Sequence, residues 1–241
     1  MATRRLTLVA LYRMSESMNS YPTMNPQVAR FNMIEQQIRT WQVLDKQVLA
    51  LIDRLERQDF VPAAYRSLAY SDIEIPIGHG EHMLVPRVDA RLLQDLELHS
   101  HETVLEIGTG SGYLTALLAL SCAHVTSLEC QAEFIPAARQ RLEHAGIFNV
   151  DIEQSQGVPE SSIHATAFDA IVLGGSVASV PPALLKLLKP TGRLLAVVGE
   201  EPVMQTTLIQ RHADGSSHAR VLWDVVIPRL HGFTENSAFH F

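Results

Sequence analysis

The chain has 241 residues, 46% of them hydrophobic and 19% charged, which gives enough apolar mass for one substantial core and excludes disordered and fibrous classes. Its formal net charge of −7 argues against binding through many nucleic-acid phosphates, a mode that needs a basic face. No apolar run approaches the roughly 20 residues that cross a bilayer, and the two cysteines, Cys122 and Cys130, lack the spacing of a zinc site or a disulfide framework.

These features predict a cytoplasmic protein without membrane or nucleic-acid partners and leave monomer and dimer equally open. Residues 1–24 begin with a basic end and a short apolar run, too short for a signal peptide, and are expected to form a poorly ordered extension. Val28, Phe31, Ile34, Ile38 and Trp41 recur at steps of three and four, predicting an amphipathic helix over 28–41. A second helix is expected after Asp45, with Leu44, Val48, Ile52 and Leu55 on one face. Residues 58–87 lose this period, gather prolines and glycines, and read as loop.

Beyond Val88 the pattern alternates. Apolar, β-branched runs at 103–107, 124–128, 149–153, 168–173 and 193–198 are separated by helical periods at about 112–122, 133–145 and 181–188. That order predicts a doubly wound α/β fold with a mostly parallel sheet. Runs at 203–212 and 219–228 flank Asp214-Gly215, which predicts an antiparallel hairpin at the sheet edge and a total of about seven strands. The expected organisation is a helical cap with a ligand-side loop over 25–87 and a core over 88–241.

Strand 103–107 ends in EIGTGSGY. The spacing G-x-G-x-G differs from the G-x-G-x-x-G of pyrophosphate-binding turns, and it lets the backbone approach a smaller ligand. Strand 124–128 ends at Glu129, about 20 residues on, where an acid accepts hydrogen bonds from ribose hydroxyls. Glycines and acid together point to an adenosyl ligand without pyrophosphate. The predicted cofactor residues in this turn and strand end are Glu106, Gly108, Thr109, Gly110, Ser111, Gly112 and Glu129.

The strand-Glu-x-Gly-x-Gly-x-Gly turn with Glu129 resembles the S-adenosylmethionine site of class I methyltransferases, whose fold is Rossmann-like. The stretches MIEQQIR (33–39), DFVPAAYRSLAYSDIEIPIGHG (59–80), VLEIGTGSGYLTALLA (104–119), FDAIVLGGSVASVPPALLKLLKPTGRLLAVVG (168–199) and VVIPRLHG (225–232) resemble one family among them, the protein-L-isoaspartate O-methyltransferases. The resemblance implies transfer of the methyl group of S-adenosylmethionine, leaving S-adenosylhomocysteine, to a carboxylate of isoaspartyl residues in peptides or proteins. A carboxylate with a pKa near 4 is already ionised at neutral pH, so positioning and desolvation matter more than a general base.

The family's GDG is SQG here, and the resemblance makes Gln156 and Gly157 adenine-side residues. Residues 79–89 become the acceptor wall, with His82, Leu84 and Asp89 as the candidate catalytic positions. In the family this loop reads Q-T-I-S-Q-P, and its serine falls at Leu84, which can neither donate nor accept a hydrogen bond. His82, at the threonine place, is the expected substitute. Met83, Leu84 and Val85 are expected to cover the cofactor, and Gly174-Gly175-Ser176 to leave room for a ligand. His79 and His82 read as local hydrogen-bonders, so no metal is expected. Two alternatives stay open beside the family reaction: another acceptor on the same fold, or a binding module without catalysis.

Overall fold

In the computed structural model residues 25–157 and 167–233 are described, so the expected N-terminal extension lies outside them. Asn25 opens helix α1 (Pro26–Asn32) by accepting from the Gln27 N–H at 2.9 Å, with Pro26 in the first turn, where its missing N–H costs nothing. The predicted helix over 28–41 is not one regular helix. It continues from α1 as a π turn over Met33–Ile38 and a 3-10 turn over Arg39–Trp41, and it stops at Gln42 with φ of 63°.

The wider turn rotates the buried stripe onto Met33, Ile34 and Ile38, so Val28 and Phe31, expected inside, face outward. Asp45 caps α2 (Lys46–Arg54) by accepting from the N–H groups of Gln47 and Val48. Val48, Ile52 and Leu55 are buried as expected, whereas Leu44, placed before the cap, is exposed.

The stretch expected as loop holds structure. Two 3-10 turns (Arg57–Phe60 and Ala63–Leu68) lead into a small hairpin of β1 (Ile75–Gly78) and β2 (Glu81–Met83), whose turn uses left-handed backbone at Gly78, His79 and Gly80. Helix α3 (Pro86–Leu96) follows. The alternating part is then β3 (Thr103–Ile107), α4 (Tyr113–Ala119), β4 (His124–Glu129), α5 (Phe134–His144), β5 (Val150–Gln154), β6 (Phe168–Val177), α6 (Pro182–Leu187), β7 (Leu188–Glu200), β8 (Val203–Arg211) and β9 (Ser217–Asp224).

One sheet runs in the order β5-β4-β3-β6-β7-β8-β9, parallel from β5 to β7 and antiparallel beyond. The predicted doubly wound sheet with its edge hairpin is therefore the observed one. Succession reverses between β3 and β6, so the crevice at the carboxyl ends of β3 and β6 is where such a sheet takes a ligand. Among the described residues no helix is long and apolar enough to cross a membrane.

An apolar cluster runs from Met33 through Leu117 to Ile227 and joins the N-terminal helices to the sheet. At the sheet edge Trp223 meets Trp41 edge-on at 6.0 Å and donates its indole N–H to Asp95 at 2.6 Å. In the interior Arg57 is fully buried. Its guanidinium pairs with Asp89 at 2.6 Å, donates to the carbonyls of Ala69 and Leu84, and lies 4.5 Å over the Tyr113 ring.

Burial pushes the Asp89 carboxyl up to about 6 against the pull of Arg57. Removing one partner of a buried pair leaves the other charge uncompensated. Asp89→Asn is therefore expected to lower stability by about 3–5 kcal/mol at pH 7.5 in urea unfolding. A loss below about 1 kcal/mol would show that the pair does not organise the interior.

Candidate functional site

The site grows from the end of β3. Past Ile107 the chain turns into α4 through Gly108, Gly110 and Gly112, all at positive φ. Gly110 has φ of 49°, and a Cβ there would stand 3.3 Å from Ile77, so the β1–β2 hairpin closes against a bare backbone. At the end of β4, Glu129 accepts from the N–H groups of Gly110 at 2.8 Å and Gln131 at 2.9 Å. Oε1 also accepts from the Cys130 thiol at 3.6 Å, while Oε2 has the Gly110 N–H alone and keeps a lone pair for a ligand hydroxyl.

A cavity of about 70 Å³ opens beside this turn, walled by Gly108, Gly110, Glu129 and Gly157 from the strand ends and by Ile77, Glu81 and His82 from the hairpin. The third wall was not foreseen. Residues 225–232 return from β9 as a strap, and its Arg229, Leu230 and His231 line the cavity.

Ser176 holds the strap: its N–H donates to Pro228 O at 2.8 Å, its carbonyl accepts from Leu230 N–H at 2.9 Å, and its hydroxyl donates to Ile227 O. Gly174-Gly175 was expected to leave space for a ligand. Gly174 does line the cavity, and the pair also leaves space for backbone, since a Cβ at Gly174 would meet Gly108 O at 2.8 Å and one at Gly175 would meet Pro228 O at 2.9 Å. Leu230 packs onto Gly108, and His231 Nε2 pairs with Glu81 Oε1 at 2.7 Å across the opening. The only sequence signal for the strap was the VVIPRLHG stretch itself, to which no role had been given.

Other predicted residues stand behind the cavity. Thr109 and Ser127 share a hydrogen bond of 2.6 Å, the Ser111 hydroxyl accepts from the Tyr113 N–H, and Gly112 packs against Ala138 of α5. Gln156 is exposed at the rim beside Gly157, with a long contact of 3.5 Å to Cys130 O. Met83 and Leu84 do not cover the cavity; both are buried in the main apolar cluster, Met83 because the pleat of β2 turns it away from His82, and Leu84 beyond the strand's end. Asp89 likewise faces Arg57 in the interior rather than the cavity. Of the acceptor-wall trio, His82 alone lines it.

Cys130, also in the wall, has its thiol pushed up to about 11 by burial and by Glu129, which keeps it neutral. A wider groove of about 820 Å³ runs between α2 and α3 and contains none of the predicted residues.

Glu106 is buried under the turn. Thr115 and Ser127 both donate to its Oε2, at 2.5 and 2.6 Å, while Oε1 has no partner. Burial pushes this carboxyl up to about 8, far above the ordinary value near 4.5. The folded protein therefore holds a proton that the unfolded chain releases, and stability falls as pH rises through that interval. Between pH 6 and 8 the melting temperature is expected to fall more steeply for the wild type than for Glu106→Gln, whose neutral amide keeps an oxygen for Thr115 and Ser127. Parallel curves for the two proteins would show that Glu106 is ionised throughout.

Comparison with known proteins gives the chain a family. The family model described as Protein-L-isoaspartate(D-aspartate) O-methyltransferase (PCMT) covers residues 29–230. A protein-L-isoaspartate O-methyltransferase of Myxococcus xanthus is 43% identical over 173 residues, 70% of this chain and 80% of its own. One from Methanoculleus marisnigri is 38% identical over 70% of this chain and 77% of its own. A Plasmodium falciparum chain described as a protein-L-isoaspartate O-methyltransferase, in complex with S-adenosyl-L-homocysteine, superposes with a TM-score of 0.72 at 22% identity, covering 86% of this chain and 99% of that one, and so shares the fold. With the family model spanning most of its length and relatives of this identity, the chain belongs to the protein-L-isoaspartate O-methyltransferase family.

Proposed function

We propose that the protein transfers a methyl group from S-adenosylmethionine to a carboxylate of isoaspartyl residues in peptides or proteins. The observation that carries this reading is the meeting, at one cavity, of the glycine turn, Glu129 and Gly157 with the β1–β2 hairpin, in a chain of this family. When bound, the cofactor supplies an electrophilic methyl on sulfur.

Everything else falls to the chain. Glu129 would receive the ribose hydroxyls, the glycine turn offers backbone without side chains, and Gly157 with Gln156 borders the adenine side. Ile77, Phe134, Leu128 and Leu230 make the remaining wall apolar, which favours displacement of water from an ionised acceptor. No general base is required. His82 is the acceptor-side group that can donate one hydrogen bond and accept another.

The deciding experiment is transfer of labelled methyl to an isoaspartyl peptide beside the same peptide with normal aspartate. Selective, base-labile labelling is expected; none, with S-adenosylhomocysteine binding intact, would move the acceptor to another carboxylate or leave a binding module. Glu129→Ala is expected to weaken S-adenosylhomocysteine binding about tenfold or more in calorimetry, the scale of a charge-assisted hydrogen bond. His82→Ala is expected to lower kcat while leaving that affinity within about twofold, because its contact is to the acceptor.

A further inference from the structure

Among the charged side chains at the cavity, Arg229 stands apart. It lines the wall together with Gly108, Gly110 and Glu129, and its Nη1 is shielded from solvent yet makes no hydrogen bond. Buried donors in folded proteins are almost always paired, and an open one at a cavity wall calls for an explanation. Of the carboxylates nearby, Glu129 accepts from the N–H groups of Gly110 and Gln131, and Glu81 pairs with His231. Among the described residues no carboxylate pairs with Arg229.

The backbone holds this side chain in place. Pro228 and Leu230, on either side of it, are both hydrogen-bonded to Ser176. The chain cannot swing away without breaking those bonds, and a Cβ at Gly175 would collide with Pro228 O. A guanidinium presents a planar fork that fits a carboxylate with two parallel hydrogen bonds.

We propose that Arg229 binds the carboxylate of a ligand in the glycine-turn cavity. The inference rests on the methyltransferase reading, in which two molecules bring a carboxylate to this cavity: the amino-acid end of the cofactor and the isoaspartyl peptide. Arg229 is then a binding residue contributed by the strap, held at the cavity by the bonds of its neighbours to Ser176.

The test titrates wild type, Arg229→Gln and Arg229→Lys with S-adenosylhomocysteine and with S-adenosyl-3-thiopropylamine, the same molecule without its carboxylate, and measures KM and kcat with an isoaspartyl peptide. If the cofactor carboxylate is the ligand, Arg229→Gln weakens S-adenosylhomocysteine about tenfold or more, Arg229→Lys restores part of it, and the decarboxylated compound binds all three alike. If the acceptor carboxylate is the ligand, both nucleosides bind unchanged and the peptide KM rises by a similar factor. The assignment is overturned if both nucleosides weaken equally, or if neither affinity nor KM moves. Should Arg229→Gln not fold by circular dichroism, Arg229→Lys alone decides, since it keeps the charge and loses the fork. Failure of the wild type to bind S-adenosylhomocysteine would instead overturn the methyltransferase reading itself.

Discussion

A buried arginine sets the geometry on which the rest of this molecule depends. Arg57 lies between the N-terminal helices and the sheet with no exposed surface, and its donors reach Ala69 O, Leu84 O and Asp89 while its plane covers Tyr113. Each contact belongs to a different piece of chain: the 3-10 segment, the exit of the β1–β2 hairpin, α3 and the first turn of α4. A guanidinium taken out of water must find acceptors in fixed directions, so those four pieces have one arrangement rather than several. Two residues before Leu84 is His82, and the same constraint delivers that ring to the cavity.

The cavity is closed by a second constraint, at the ends of the strands. Ser176 of β6 binds the returning strap through backbone and hydroxyl, and Gly174 and Gly175 permit that approach because any side chain would meet a carbonyl oxygen. Gly157 and Gly232 meet in the same way, with a Cβ at Gly157 falling 2.3 Å from Gly232 O. The strap thus rests on the glycine turn through Leu230 and on Glu81 through the adjacent His231. Its apolar Leu230 and its cationic Arg229 give one segment the two tasks of drying the site and attracting an anion.

The parallel sheet was legible because each of its strands is a short apolar run between helical periods, and burial on both faces writes that pattern directly into composition. The glycine turn and Glu129 were legible for a related reason: backbone approach to a ligand demands residues without side chains at fixed places. The N-terminal segment was harder. Its period of three and four fits a regular helix, yet a π turn over Met33–Ile38 moved the buried face and left Val28 and Phe31 outside. The loop reading of residues 58–87 missed the β1–β2 hairpin because three- and four-residue strands carry too little alternation to register.

Sequence by itself determined the fold class, the glycine turn and the family, since each depends on residue types at short, fixed separations. It could not determine which side chains face the cavity. Met83, Leu84 and Val85 were expected over the cofactor, but Met83 and Leu84 are buried in the apolar cluster that joins the N-terminal helices to the sheet, and Val85 packs against it. Asp89 looked like a ligand-side acid and became the partner of Arg57. Arg229 and His231, about 120 residues beyond the glycine turn, reach the site only because β8 and β9 turn back along the sheet edge and Ser176 catches the segment that follows. Such long-range choices are made by whichever polar groups must be satisfied in the interior, and only the tertiary structure decides them.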